Sequence, residues 1–183
     1  MLDNSARLGD SLFRGGGWII ALIIGGVAAD LSLKAWASAS MREGPRPFLP
    51  FLSFHLARND GVSFSLFAAE TDAAFAALIA AQITIVLGIC WLLLRSKSPL
   101  ERWAFAFVIG GAVGNLIVRA ATGAVTNFLR LHPFSYDLFT FNFADVLISC
   151  GVGMLVLDTF FPRRRDAPHV HARERSPCDR EER

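Results

Sequence analysis

The chain has 183 residues, of which 53% are hydrophobic and 19% charged, with a net charge of +2 and a mean hydropathy of +0.43. That apolar content lies above the soluble norm and excludes an ordinary water-soluble domain, while the near-balanced charge lacks the basic excess of a nucleic-acid-binding protein. Cys90, Cys150 and Cys178 form neither a metal-ligand spacing nor a disulfide framework, so no metal and no cofactor are expected.

Residues 1–17 carry Arg7 and Arg14 and read as a cytoplasmic N-terminus. The first apolar segment, Trp18 to Ala37, approaches the roughly 20 residues that about 30 Å of hydrocarbon demands. It is impure. Asp30 and Lys34 interrupt its far end, where a cleavable signal peptide would need small residues, so the segment is expected to stay as a span. The two are spaced i, i+4 with the acid first, the favourable order, which predicts a structural ion pair with Lys34 snorkelling to the interface.

A loop from about Ser38 to Asp72 follows. Its stretch Phe51 to Arg58 alternates in part and ends at Asn59-Asp60-Gly61, which predicts a strand and a turn, with another short strand at Val62 to Phe67. Ala73 to Leu94 is the second span and Trp103 to about Arg119 the third, joined by a short connection holding Arg95, Lys97 and Arg102. Within the third, Gly110-Gly111-Ala112-Val113-Gly114-Asn115 sets small residues at helix-packing spacing, and Arg119 follows Asn115 on the same face. A second loop, Ala120 to Thr140, contains Gly123-Ala124-Val125-Thr126-Asn127-Phe128. The fourth span, Phe141 to Phe161, opens with Phe141-Asn142-Phe143-Ala144-Asp145, so Asn142 and Asp145 share a face in its first turn. Residues 162–183 are rich in Arg, Asp, Glu and Pro and read as a disordered charged tail.

The expected architecture is therefore an all-α membrane protein. One domain, residues 18–161, holds four transmembrane helices, with a small β element and a short helical loop on the outer face. Continuous apolar runs favour helices over barrel strands. Basic residues before the first span, between the second and third, and after the fourth place both termini in the cytoplasm and both long loops outside. An acid at membrane depth needs a partner, a wet cavity or the protein interior, which marks Asp145 as a functional candidate.

Taken together, Asp30 with Lys34, Asn59-x-Gly61-x-x-Phe64, the glycine-rich run to Asn115 with Arg119, Gly123-x-Val125-x-x-Phe128, and Phe141-Asn142-x-Ala144-Asp145 resemble the lipoprotein signal peptidase (signal peptidase II) family. The resemblance implies a multi-pass protein of the bacterial inner membrane. Its partners are membrane lipids and the signal peptide of a diacylglyceryl-modified prolipoprotein, cut on the amino side of the lipidated cysteine, with the chain expected to act as a monomer. It also implies aspartic peptidase chemistry, in which one carboxylate takes a proton from water while a second, protonated, polarises the scissile carbonyl. Asp145 matches one of these acids. The other belongs at residue 127, where this chain has Asn127, which cannot accept that proton. Members also commonly carry an acid directly before the arginine, where Val118 stands. Two readings follow. In the first, the chain is an impaired peptidase in which Asp145 serves alone or with Asp137 as substitute. In the second, it is a catalytically inactive relative that binds lipidated signal peptides or a membrane partner through Asn59, Gly61, Asn115, Arg119 and Asn142.

Overall fold

The computed structural model describes residues 4–41, 44–59 and 71–160. Its elements run α1 (Asn4–Ser40), β1 (Arg46–Leu49), β2 (Leu52–Asn59), α2 (Asp72–Arg95), α3 (Pro99–Thr122), β3 (Val125–Leu131), a single 3-10 turn (Pro133–Ser135), β4 (Phe139–Phe141) and α4 (Phe143–Phe160). Among the described residues, four helical stretches are long and apolar enough to cross a bilayer: Gly16–Ser40, Asp72–Arg95, Pro99–Thr122 and Phe143–Phe160. They coincide with the four expected spans to within a few residues. The expected strand at Val62 to Phe67, the turn residue Gly61, Cys178 and the charged tail lie outside the described residues.

Local chemistry sets the helix ends. Thr71 caps α2, its hydroxyl accepting the Ala74 N–H at 3.2 Å, and Arg95 in the last turn stacks over the Trp91 ring. Only a few residues separate α2 from α3. Ser98 then caps α3, Pro99 occupies its first turn, and Ser96 donates to the Glu101 carboxylate at 2.6 Å. The far end of α3 closes on Gly123, whose φ of 81° is left-handed and whose N–H donates to the Arg119 carbonyl at 2.9 Å.

Helix α3 is the centre of the bundle, packed against α1, α2 and α4. Its approach to α4 depends on glycine. A Cβ at Gly111 would run into the Ala144 carbonyl oxygen, and one at Gly151 would meet the Ala104 carbonyl at 2.5 Å. Backbones this close gain van der Waals contact where lipid offers no hydrophobic driving force.

The four strands form one antiparallel sheet in the order β1-β2-β3-β4. This goes beyond the expected hairpin, because β3 and β4 come from a stretch that reads as loop in the sequence. Val125, Phe128 and Leu131 are interrupted by Asn127 and Arg130, so the alternation is too broken to identify from sequence. The sheet lies across one end of the bundle. Phe128 is buried with Ala37 of α1 and Met41 just beyond its end, and Leu33, Phe54, Leu129 and Phe143 pack around them. That contact pins β3 over the start of α4, and with it residue 127.

Candidate active site at the sheet-bearing end of the bundle

Four helix and strand segments meet beneath the sheet, and each contributes a buried polar side chain. Asp30 and Lys34 come from α1, Asn115 and Arg119 from α3, Asn127 from β3, and Asn142 with Asp145 from the turn into α4; all but Asp145 are among the buried polar residues. So many polar groups persist in such surroundings only when they satisfy one another.

Asp30, Lys34, Asn115, Asp145, Asn142 and Asn127 do so in a continuous relay. The Lys34 ammonium donates to Asp30 Oδ2 at 2.6 Å and to Asn115 Oδ1 at 2.7 Å. Asn115 Nδ2 in turn donates to Asp145 Oδ1 at 3.0 Å. The other carboxylate oxygen of Asp145 accepts the Asn142 backbone N–H at 3.0 Å, and Asn142 Oδ1 accepts the Asp145 N–H at 3.2 Å. This reciprocal pair is a capping box that closes the first turn of α4. From there Asn142 Nδ2 donates to Asn127 Oδ1 at 2.8 Å, and Asn127 Nδ2 donates to the Thr140 carbonyl at 2.9 Å.

The expected ion pair between Asp30 and Lys34 is present, but the expected snorkelling is corrected. Lys34 is 3% exposed and turns inward, because Asn115 offers it an acceptor within the bundle. Asp30 does more than neutralise it: its Oδ1 accepts the Ala144 N–H at 2.9 Å, so a carboxylate on α1 satisfies an amide at the start of α4. Gly114 makes room for it, since a Cβ there would stand 2.5 Å from Asp30 Oδ2.

Electrostatically the cluster balances. Two carboxylates, Asp30 and Asp145, face two cations, Lys34 and Arg119, and the charge of Asp145 acts on both. Arg119 lies one turn beyond Asn115, buried, as the i, i+4 spacing requires. Within this arrangement the Asp145 carboxyl group accepts from the Asn115 side chain and from the backbone N–H of Asn142.

Asn115, Arg119, Asn142 and Asp145 come together as the sequence suggests, and Asn127 joins them through Asn142. Asn59 ends β2 opposite Val125, two register positions from the Ala57–Asn127 pair. Asp137 is exposed and forms an ion pair with Arg130 at the far end of β3, so it is engaged elsewhere. Two participants escaped sequence reading. Thr140 acts through its backbone carbonyl, which no side-chain pattern reveals. The Ala144 N–H is likewise visible only as an orphan donor of a helix start.

A bundle of four spans with a carboxylate and a ring of amides at one end defines a polytopic membrane protein with a buried polar site. Comparison with known proteins narrows the class. The model of the signal peptidase (SPase) II family matches residues 20–161. The chain is similar to the lipoprotein signal peptidase of Methylocella silvestris, 36% identical over 141 residues that cover 75% of this chain and 82% of that protein. It is also similar to that of Brucella ovis, 34% identical over 149 residues, covering 79% of this chain and 91% of the relative. Two solved structures of a bacterial membrane enzyme share the fold. One matches with a TM-score of 0.70 at 23% identity, covering 83% of this chain and 95% of that one. The other has a TM-score of 0.71 at 22% identity, covering 81% and 96%. The chain belongs to the signal peptidase II family and is a multi-pass bacterial membrane protein.

Proposed function

We propose that the chain recognises the signal peptide of diacylglyceryl-modified prolipoproteins at the sheet-bearing end of its bundle, and that its hydrolysis of that peptide is strongly impaired. In this reading both termini are cytoplasmic, the sheet lies on the outer face of the inner membrane, and the substrate-binding residues are Asn59, Gly61, Asn115, Arg119 and Asn142.

The observation that carries the proposal is the pairing across Asn142. Asp145 stands on one side of it and Asn127 on the other, so the cluster holds one group able to exchange a proton with water and one that cannot. A carboxylate alone can still accept a proton from water and return it to the leaving amine. The second acid's proton donation to the carbonyl is missing, and general acid-base help of that kind contributes about 10²–10⁴-fold. Asp137 offers no substitute while it pairs with Arg130.

The test is expression of the full chain in cells depleted of their own lipoprotein signal peptidase, beside N127D, with prolipoprotein processing followed over time. Slow or no processing by the natural chain and clear processing by N127D is the expected result. Processing by the natural chain at the rate of N127D would refute the impairment. Failure of a lipidated signal peptide to crosslink near Arg119 would refute recognition.

A further inference from the structure

We propose that position 127 is built to hold a neutral side chain that both donates and accepts, so that Asn127 is a lasting equivalent of a protonated carboxyl and not a gap in the site. The proposal deepens the reading of the cluster as a peptide-binding site and rests on it for its functional meaning, although its structural content stands on the hydrogen bonds alone.

The polarity of the relay is fixed from both ends by backbone groups, which cannot be turned around. The Asp145 N–H can only donate, and it donates to Asn142 Oδ1 at 3.2 Å, so Asn142 must present Nδ2 to its other neighbour. That neighbour is Asn127, which must therefore accept, as it does through Oδ1 at 2.8 Å. The Thr140 carbonyl can only accept, so residue 127 must also donate, as it does through Nδ2 at 2.9 Å. An amide meets both demands. So does an uncharged carboxyl group. A carboxylate meets only one, and its second oxygen would face the Thr140 carbonyl lone pair to lone pair. Asn127 is 4% exposed and Asn142 fully buried, so water is not at hand to relieve the conflict.

Other groups also act on the position. The Thr140 hydroxyl lies 3.5 Å from Asn127 Nδ2, at the outer limit of a hydrogen bond, and could turn to donate to a carboxylate. Asp145 on α4 disfavours a second negative charge, while Arg119 on α3 and Lys34 on α1 favour one, and Asp30 neutralises Lys34. On the neighbouring strand β2, Arg58 is drawn off toward the Thr122 carbonyl. Among the described residues, the Thr140 carbonyl at 2.9 Å is the acceptor that faces the donor side of residue 127.

The consequence for the bound peptide is specific. Asn127 Nδ2 carries two hydrogens, and the one not given to the Thr140 carbonyl suits a substrate carbonyl oxygen once a bound peptide opens access to this side chain, which is buried in the free chain. Residue 127 then stays neutral at every pH, offering a substrate carbonyl a hydrogen bond but no transferable proton.

The experiment measures carboxyl protonation by infrared spectroscopy through a pH titration of the full chain in nanodiscs, comparing N127D, N127D/D145N and N127D/T140V with the natural chain. The carboxyl introduced by N127D is expected to keep its proton to at least one pH unit above the ordinary Asp value of about 4 in all three variants. Persistence in N127D/D145N assigns the effect to the Thr140 and Asn142 wall and not to the charge of Asp145. Titration at the ordinary value in N127D/D145N would overturn the proposal, and so would its loss in N127D/T140V, which keeps the carbonyl but removes the hydroxyl. N127L serves as the folding control: if it folds and N127D does not fold even at pH 5, the wall rejects a neutral carboxyl and the proposal fails. No substrate enters this measurement, so its failure is separable from a failure of peptide recognition, which the crosslinking reads.

Discussion

Helices α2 and α3 are each 24 residues long and both are apolar enough to span a bilayer, yet α3 buries nine residues, including Asn115 and Arg119, while α2 buries none. Among the described residues helix α2 packs chiefly along α3 and turns residues such as Ile85 and Leu87 outward, which suits a helix bathed in lipid. Helix α3 carries an amide, a cation and the close-packing glycines, because its neighbours α1 and α4 supply partners for each. Polarity inside a membrane follows packing: charged side chains are tolerated where other elements surround them, whereas the interior of α2, which lacks such surroundings, carries no charge and only Gln82 and Thr84 as polar interruptions. The site belongs to the crowded helix.

Substitutions should sort along that contrast. The largest losses are expected where a change breaks the α1–α3–α4 junction. G114V would place a Cβ at 2.5 Å from Asp30 Oδ2 and force the carboxylate away from both Lys34 and the Ala144 N–H. K34M removes the cation while leaving Asp30 fully buried. Breaking a buried pair by removing one partner costs about 3–5 kcal/mol, and both variants should lose that much in reversible unfolding in mixed micelles. The double variant D30L/K34M sharpens the comparison. It removes both charges, so its loss should be smaller than that of K34M alone; a larger loss would mean that the Asp30–Ala144 contact, and not the uncompensated charge, dominates.

The same contrast explains how much could be read in advance. The four spans are legible because each is a long apolar run, and the polar residues of the site are legible because they interrupt such runs. Asp30 and Lys34 could be paired by spacing, but the direction of Lys34 could not be known, since its second partner Asn115 lies 81 positions away. The sheet was only half visible. Residues 52–59 alternate well enough to suggest β2, whereas β3 exists because Phe128 finds the cluster of Ala37 and Met41 at the end of α1. Thr140 was hidden for a different reason: its contribution to the site is a carbonyl oxygen, which every residue has.

A middle-sized effect is expected at the junction of the two structural types. Gly123 ends α3 with a φ of 81° and leads directly into β3. G123A asks a residue with a Cβ to adopt a left-handed conformation and should cost about 1 kcal/mol or somewhat more. Because this bend aims β3, and with it Asn127, over the start of α4, the same variant should also weaken crosslinking of a lipidated signal peptide. Loss of stability with crosslinking unchanged would show that the α3–β3 angle does not position residue 127.

The smallest effect belongs to α2. Leu87 is 63% exposed, so L87A removes side-chain atoms that face the surrounding lipid and leaves no cavity. Changes at such positions usually fall within about 0.5 kcal/mol, and unfolding of L87A should be indistinguishable from that of the natural chain within that margin. A loss comparable to that of K34M would require Leu87 to be covered by something the isolated chain does not provide, such as a second copy or another spanning helix. In that case the protein should migrate as a larger species after mild crosslinking in the membrane, and L87A should abolish it. Unchanged stability together with a monomeric species would leave α2 as a lipid-facing support whose role is to shield one flank of α3.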